Sequence, residues 1–136
     1  MVELIVGLKG TGKTKLMIDL ANEAVLNSKG IVACVEKGQK LRTILHEARW
    51  IDTTEYNIKT AESLYGLVCG LYAGNYDITH IFIDSALKIC CENINGFAEF
   101  IKLADALADK NGFKFIITAS VEKDALPEDI QKYIAA

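Results

Sequence analysis

The chain has 136 residues, 51% of them hydrophobic and 24% charged, with one proline and a mean hydropathy of +0.20. That length corresponds to a single domain over residues 1–136, and a chain of this size buries roughly two thirds of its unfolded surface, so disorder is excluded. The net charge of −3 divides as +1 over residues 1–68 and −4 over residues 69–136; neither half has the basic excess from which nucleic-acid binding would be expected.

Four cysteines, Cys34, Cys69, Cys90 and Cys91, lack CxxC spacing, and His46 and His80 are the only histidines, which argues against structural zinc. The vicinal pair Cys90-Cys91 is expected to serve as buried small hydrophobes, the alternative being a thiol-reactive site. Lys13 and Lys15 interrupt the first apolar stretch, so neither a signal peptide nor a membrane span is expected; the expected location is the cytoplasm, with reduced thiols.

Apolar periodicity alternates between two and 3.6 along the chain. Residues 2–6 read as a strand, residues 7–12 as a glycine-rich loop, and residues 13–27 as a helix with Met17, Leu20, Ala21, Ala24 and Val25 on one face. The continuous apolar run 31–35 has the pattern of a strand covered on both faces. Residues 38–49 are expected to be helical, and a short strand is expected near residues 56–59. Thr60 is a plausible cap for a helix carrying Leu64, Leu67, Val68, Leu71 and Tyr72. Residues 80–83 form the next strand, with Asp84 at its carboxyl end. Phe97, Phe100, Ile101, Ala104, Leu107 and Ala108 then mark a long helix closing at Asn111-Gly112. A further strand follows over residues 113–118, and Pro127, Glu128 and Asp129 open a final short helix.

Strands alternating with crossover helices imply an α/β fold, three layers (α/β/α) around a mainly parallel sheet. Ligands of such folds bind at the carboxyl ends of the strands, here just after Val6, Val35, Ile83 and Thr118.

Between the first strand and the first helix lies Gly7-Leu8-Lys9-Gly10-Thr11-Gly12-Lys13-Thr14, a full match to G-x-x-x-x-G-K-[ST]. Chance produces such a match in a chain of this length on the order of once in two hundred. Glycines let the loop turn backbone N–H groups toward phosphate oxygens, and the helix N-terminus adds unpaired donors and a favourable dipole. Gly7, Gly10, Thr11, Gly12, Lys13, Thr14 and Lys15 are therefore the expected nucleotide-binding residues, with Lys13 on the β and γ phosphates and the Thr14 hydroxyl on Mg²⁺. Lys9 reads as a solvated loop residue.

On this motif the chain resembles the P-loop nucleoside triphosphatases. The resemblance implies an acid ending a hydrophobic strand, and His80-Ile81-Phe82-Ile83-Asp84-Ser85 supplies Asp84 as a Mg²⁺ residue, 70 positions after Thr14; the alternative is an Asp that caps the next helix. Ile83-Asp84-Ser85-Ala86-Leu87 and the order of elements look most like the RecA-like branch, which includes circadian-clock ATPases and which places its catalytic glutamate at the end of the second strand. Glu36 stands there, with a solvated polar turn as its alternative. Thr118 and Ser120 match the place of a polar residue that senses the γ-phosphate. The chain also looks like short bacterial ATP-binding proteins labelled as twitching-motility ATPases. Recombinase activity is not expected, because the later strands and DNA-contacting loops of recombinases have no counterpart here.

Other branches lack their marks: Asp84-Ser85-Ala86-Leu87 is not the Asp-x-x-Gly of GTPases, and Arg42 and Arg49 are the only arginines for a kinase lid. The expected function is a cytoplasmic ATP-binding protein with slow Mg²⁺-dependent ATPase activity. Lys13 and Glu36 are its catalytic residues, Thr14 and Asp84 hold the metal, and nucleotide state is coupled to a protein partner or a homo-oligomer. The alternatives are a nucleotide-binding module without turnover and an accessory subunit of a DNA-processing system.

Overall fold

Strand β1 (Val2–Gly7) runs straight into the glycine loop and helix α1 (Lys13–Asn27), and β2 (Ile31–Glu36) follows after a tight connection. These bounds come from a computed structural model that describes residues 1–44 and 46–135. The later elements are β3 (Arg49–Asp52), a 3₁₀ turn (Thr53–Tyr56), α2 (Ala61–Gly74), β4 (Ile78–Ile83), α3 (Ala86–Ile89), α4 (Ile94–Asn111), β5 (Lys114–Ser120), a second 3₁₀ turn (Lys123–Ala125) and α5 (Glu128–Gln131).

Among the described residues the sheet has five strands in the order β1-β5-β4-β2-β3, with every pairing parallel. All carboxyl ends therefore meet at one edge of the sheet. Side chains alternate across it: Ala33 and Val35 pack with Leu64, Val68, Phe97 and Ile101 of α2 and α4, while Val32 and Cys34 pack with Met17, Ala21 and Ala24 of α1. The result is the expected three-layer α/β/α arrangement. The outer edge of β1 is covered by residues 133–135, through Leu4 N–H to the Tyr133 carbonyl and Ala135 N–H to the Leu4 carbonyl, both 2.9 Å. Among the described residues no helix is long and apolar enough to cross a membrane.

Thr60 caps α2 through a capping box with Ser63, and Gly112 ends α4 in the left-handed region at φ 74°. Two local expectations are corrected. The described residues between Gly38 and Ala48 form turns, not a helix; Leu45 lies outside the described residues. Leu41, Ile44 and Ala48 have helix-like spacing because all three pack on the α1 face of the sheet, which a chain of turns can also achieve. The short strand is Arg49–Asp52, paired with β2, and Thr53–Tyr56 is a 3₁₀ turn because Asp52 caps it by accepting from Thr54 N–H.

Two buried carboxylates fasten this segment. Glu36 Oε1 accepts from Lys40 N–H (2.9 Å), and Glu36 Oε2 accepts from Leu41 N–H (2.7 Å) and Trp50 Nε1–H (2.7 Å). Asp52 Oδ1 accepts from Gly38 N–H, Thr54 N–H and the Thr54 hydroxyl at 3.0, 3.0 and 2.7 Å. The Thr54 hydroxyl first, then the two backbone donors, hold the Asp52 carboxyl below its ordinary 3.8. Because the folded value is the lower one, the stability Asp52 contributes is full above that ordinary value and is lost as pH falls through the lowered one.

Candidate functional site

The loop between β1 and α1 takes its shape from backbone angles that favour glycine. Gly10 and Gly12 have φ of 87° and 88°, and a Cβ on Gly7 would come within 2.9 Å of Thr11 Oγ1. That hydroxyl is committed, since Thr11 Oγ1–H donates to the Leu8 carbonyl at 2.8 Å. The Lys13 ammonium bends back over the loop and donates to the same carbonyl at 2.9 Å and to Thr11 Oγ1 at 3.4 Å. Gly12 opens α1 without a capping side chain, and no acid stands in the first turn, so the N-terminal donors and the positive dipole end of this 15-residue helix are uncompensated by the protein.

Parallel pairing brings β4 to the same edge. The Thr14 hydroxyl donates to Asp84 Oδ2 at 3.1 Å, joining residues 70 positions apart. Asp84 is 2% exposed, and its other oxygen accepts from the Thr118 hydroxyl at 2.6 Å, which in turn accepts from Ser85 N–H at 2.8 Å. Among the described residues no ammonium or guanidinium lies within ion-pair distance of this buried carboxylate, although burying a charge without compensation is costly. Ser85 sits at φ 55° as the chain leaves β4 for α3.

Together these residues open onto a cleft of about 690 Å³, a size suited to a small-molecule ligand. The glycine loop contributes Lys9, Gly10, Gly12, Lys13, Thr14 and Lys15; Asp84, Ser85, Leu87, Lys88 and Glu92 contribute from β4 onward, and Lys40 and Ser120 complete it. Five lysines face two carboxylates there, in a chain whose net charge is −3, so the cleft opposes the molecule's own sign and suits an anion.

Lys13, Thr14, Lys15 and Asp84 thus come together, and Gly7 and Thr11 shape the loop behind the lining. Glu36 stands apart: it is 2% exposed, absent from the lining, and has both oxygens engaged by the segment after β2. Thr118 is fully buried beneath Asp84, while Ser120 reaches the cleft. The residues that the sequence did not single out are Lys40, Lys88 and Glu92. Lys88 and Glu92 could have been sought from their place four and eight positions after Asp84. Nothing local marked Lys40.

The cysteines divide. Desolvation is the first cause that pushes the thiols of Cys34 and Cys90 up to about 12, with Glu36 next for Cys34, and Cys91 and then Glu62 next for Cys90. Cys91, expected to be buried, is exposed, with its thiol donating to the Lys59 carbonyl at 3.3 Å, because its left-handed backbone (φ 54°) turns the chain outward after α3. Among the described residues no cluster of three or more His, Cys, Asp or Glu is arranged to hold a metal ion.

No family model matches the chain, and no curated protein matches it. Among solved structures it is similar to domain III of the replication initiation protein DnaA from Thermotoga maritima, with a TM-score of 0.46 and 17% identity. The likeness covers 97% of this chain and 50% of that one, so the chain spans about half the length of its structural neighbour.

Proposed function

We propose that the cleft binds a nucleoside triphosphate, ATP foremost, together with Mg²⁺, and that the protein is a slow ATPase whose nucleotide state is read by a protein partner or by further copies of itself. The observation that carries this reading is the meeting of the Thr14 hydroxyl, in the first turn of α1, with the buried Asp84 carboxylate at 3.1 Å. A carboxylate and a hydroxyl, with no cation beside them, form an oxygen-only donor pair that fits a hard divalent ion completed by phosphate oxygens and water. When bound, Mg²⁺ supplies charge neutralisation at the β and γ phosphates.

The chain's own residues have distinct tasks in this reading. The loop N–H groups and the uncapped start of α1 hold the inner phosphates, and Lys13 exchanges its Leu8 carbonyl for phosphate oxygen. A general base must face the cleft. Glu36 does not line it, and among the described residues Glu92, at φ 61° on the turn after α3, is the carboxylate other than Asp84 that does. Glu92 is therefore assigned to orient the attacking water and accept its proton, and Glu36 to anchor the segment after β2.

Glu92→Gln should keep ATP affinity within about twofold and lower the rate of phosphate release by roughly 10²-fold, measured in parallel by titration and by a phosphate assay. Unchanged turnover in that variant would remove Glu92 from the reaction. The binding-module reading is favoured by one observation, the full engagement of Glu36 by three donors. A wild type that binds ATP yet releases no phosphate at any protein concentration would establish it in place of the ATPase.

A further inference from the structure

Lys40 is exposed, lines the cleft, and has no carboxylate within ion-pair distance of its ammonium among the described residues. It reaches the site from a direction that no other lysine there shares. Lys9, Lys13 and Lys15 belong to the glycine loop or the first turn after it, and Lys88 to the short helix beyond Asp84. The strand order β1-β5-β4-β2 puts the glycine loop at one end, Asp84 in the middle, and the segment carrying Lys40 on the far side. Lys40 therefore faces the glycine loop from across Asp84, on the same cleft.

The position of Lys40 is set by buried chemistry. Its own backbone N–H donates to Glu36 Oε1, the next residue's N–H donates to Glu36 Oε2, and Gly38 N–H is tied to Asp52. A 2%-exposed carboxylate that accepts three donors and, among the described residues, has no ion-pair partner is an unusual expense for a turn whose only duty is to cover the sheet.

We propose that Lys40 contacts the terminal phosphate of the bound nucleotide and makes the site selective for triphosphate over diphosphate, with Glu36 as the positioning residue that holds the Lys40 segment in place. This rests on the cleft being a nucleoside-triphosphate site. The terminal phosphate is the group that separates the two ligands, so removing the Lys40 ammonium acts on one and spares the other. Glu36→Gln acts indirectly. An amide cannot accept at both ends, so its NH₂ must face either Lys40 N–H or the Leu41 and Trp50 donors, and that donor-on-donor contact releases the segment. Trp50 is the chain's single tryptophan, so its emission reports that release on its own.

The test measures Mg²⁺-ATP and Mg²⁺-ADP dissociation constants by titration for the wild type, Lys40→Ala, Lys40→Arg, Lys37→Ala and Glu36→Gln, with Trp50 emission recorded throughout. Lys40→Ala should weaken ATP roughly tenfold to a hundredfold, in line with a charge-assisted phosphate contact, and leave ADP within about twofold. Lys40→Arg should recover most of the loss, and Lys37→Ala, a neighbouring exposed cation outside the cleft, should show none. Glu36→Gln should repeat the ATP-selective loss with a shifted Trp50 emission. If that variant fails to fold, the Lys40 pair decides alone. Equal losses for ATP and ADP in Lys40→Ala, or no loss, would overturn the assignment while leaving the site reading intact. A wild type that binds neither nucleotide would remove both.

Discussion

Lys13→Ala is expected to weaken triphosphate binding by roughly a hundredfold or more while the folded state persists, because one ammonium supplies charge and hydrogen bonds to the phosphates but little to the core. Among the described residues its bonds go to the Leu8 carbonyl and the Thr11 hydroxyl, both at the exposed surface. Water replaces those contacts when the ammonium is removed, so no buried polar group is orphaned. The unfolding transition should therefore shift little, and calorimetric titration beside a thermal melt separates the two effects. Unaltered affinity in a folded variant would mean that the glycine loop is not the phosphate cradle.

Asp84→Asn should abolish the gain in nucleotide affinity that Mg²⁺ confers, with metal-free binding nearly unchanged. The chemistry that makes this separable is the hydroxyl pair around the carboxylate. Thr118 Oγ1 can go on donating to the amide oxygen, and Thr14 Oγ1, which donates to Oδ2 now, can rotate and accept from the amide NH₂. The buried hydrogen bonds survive, so stability should fall by no more than about 1 kcal/mol. Only the anionic oxygen offered to a cation is lost. Equal loss of affinity with and without Mg²⁺ would assign Asp84 to holding the loop in place.

The core of the candidate site was legible in the sequence because two regularities meet in it. Residues 7–14 carry their geometry in glycine positions, and Gly10 and Gly12 do adopt the left-handed angles that such a loop demands. Asp84 was legible as the acid ending an apolar strand, since parallel strands bring their carboxyl ends to one edge and so bring Asp84 to Thr14. The segment after β2 was not legible. Leu41, Ile44 and Ala48 mimic a helical stripe, yet the N–H groups at Lys40 and Leu41 that a helix leaves open at its start are taken by Glu36, and Gly38 is drawn to Asp52 instead. The same bonds turn Glu36 inward. Its position at the end of β2 was correctly placed, but the direction of a carboxylate follows from donors contributed by a neighbouring loop, which residue spacing does not encode. Lys40 and Glu92 reach the cleft from turns and Lys88 from a four-residue helix, segments too short or irregular for periodicity to mark a charged residue.

The most direct test of the central claim is a titration of the wild-type protein with ATP, with and without Mg²⁺, followed by calorimetry. A Mg²⁺-nucleotide site built on Thr14 and Asp84 predicts one ATP per chain and an affinity at least roughly tenfold higher when Mg²⁺ is present. Absence of binding, or binding that is indifferent to Mg²⁺, would contradict it.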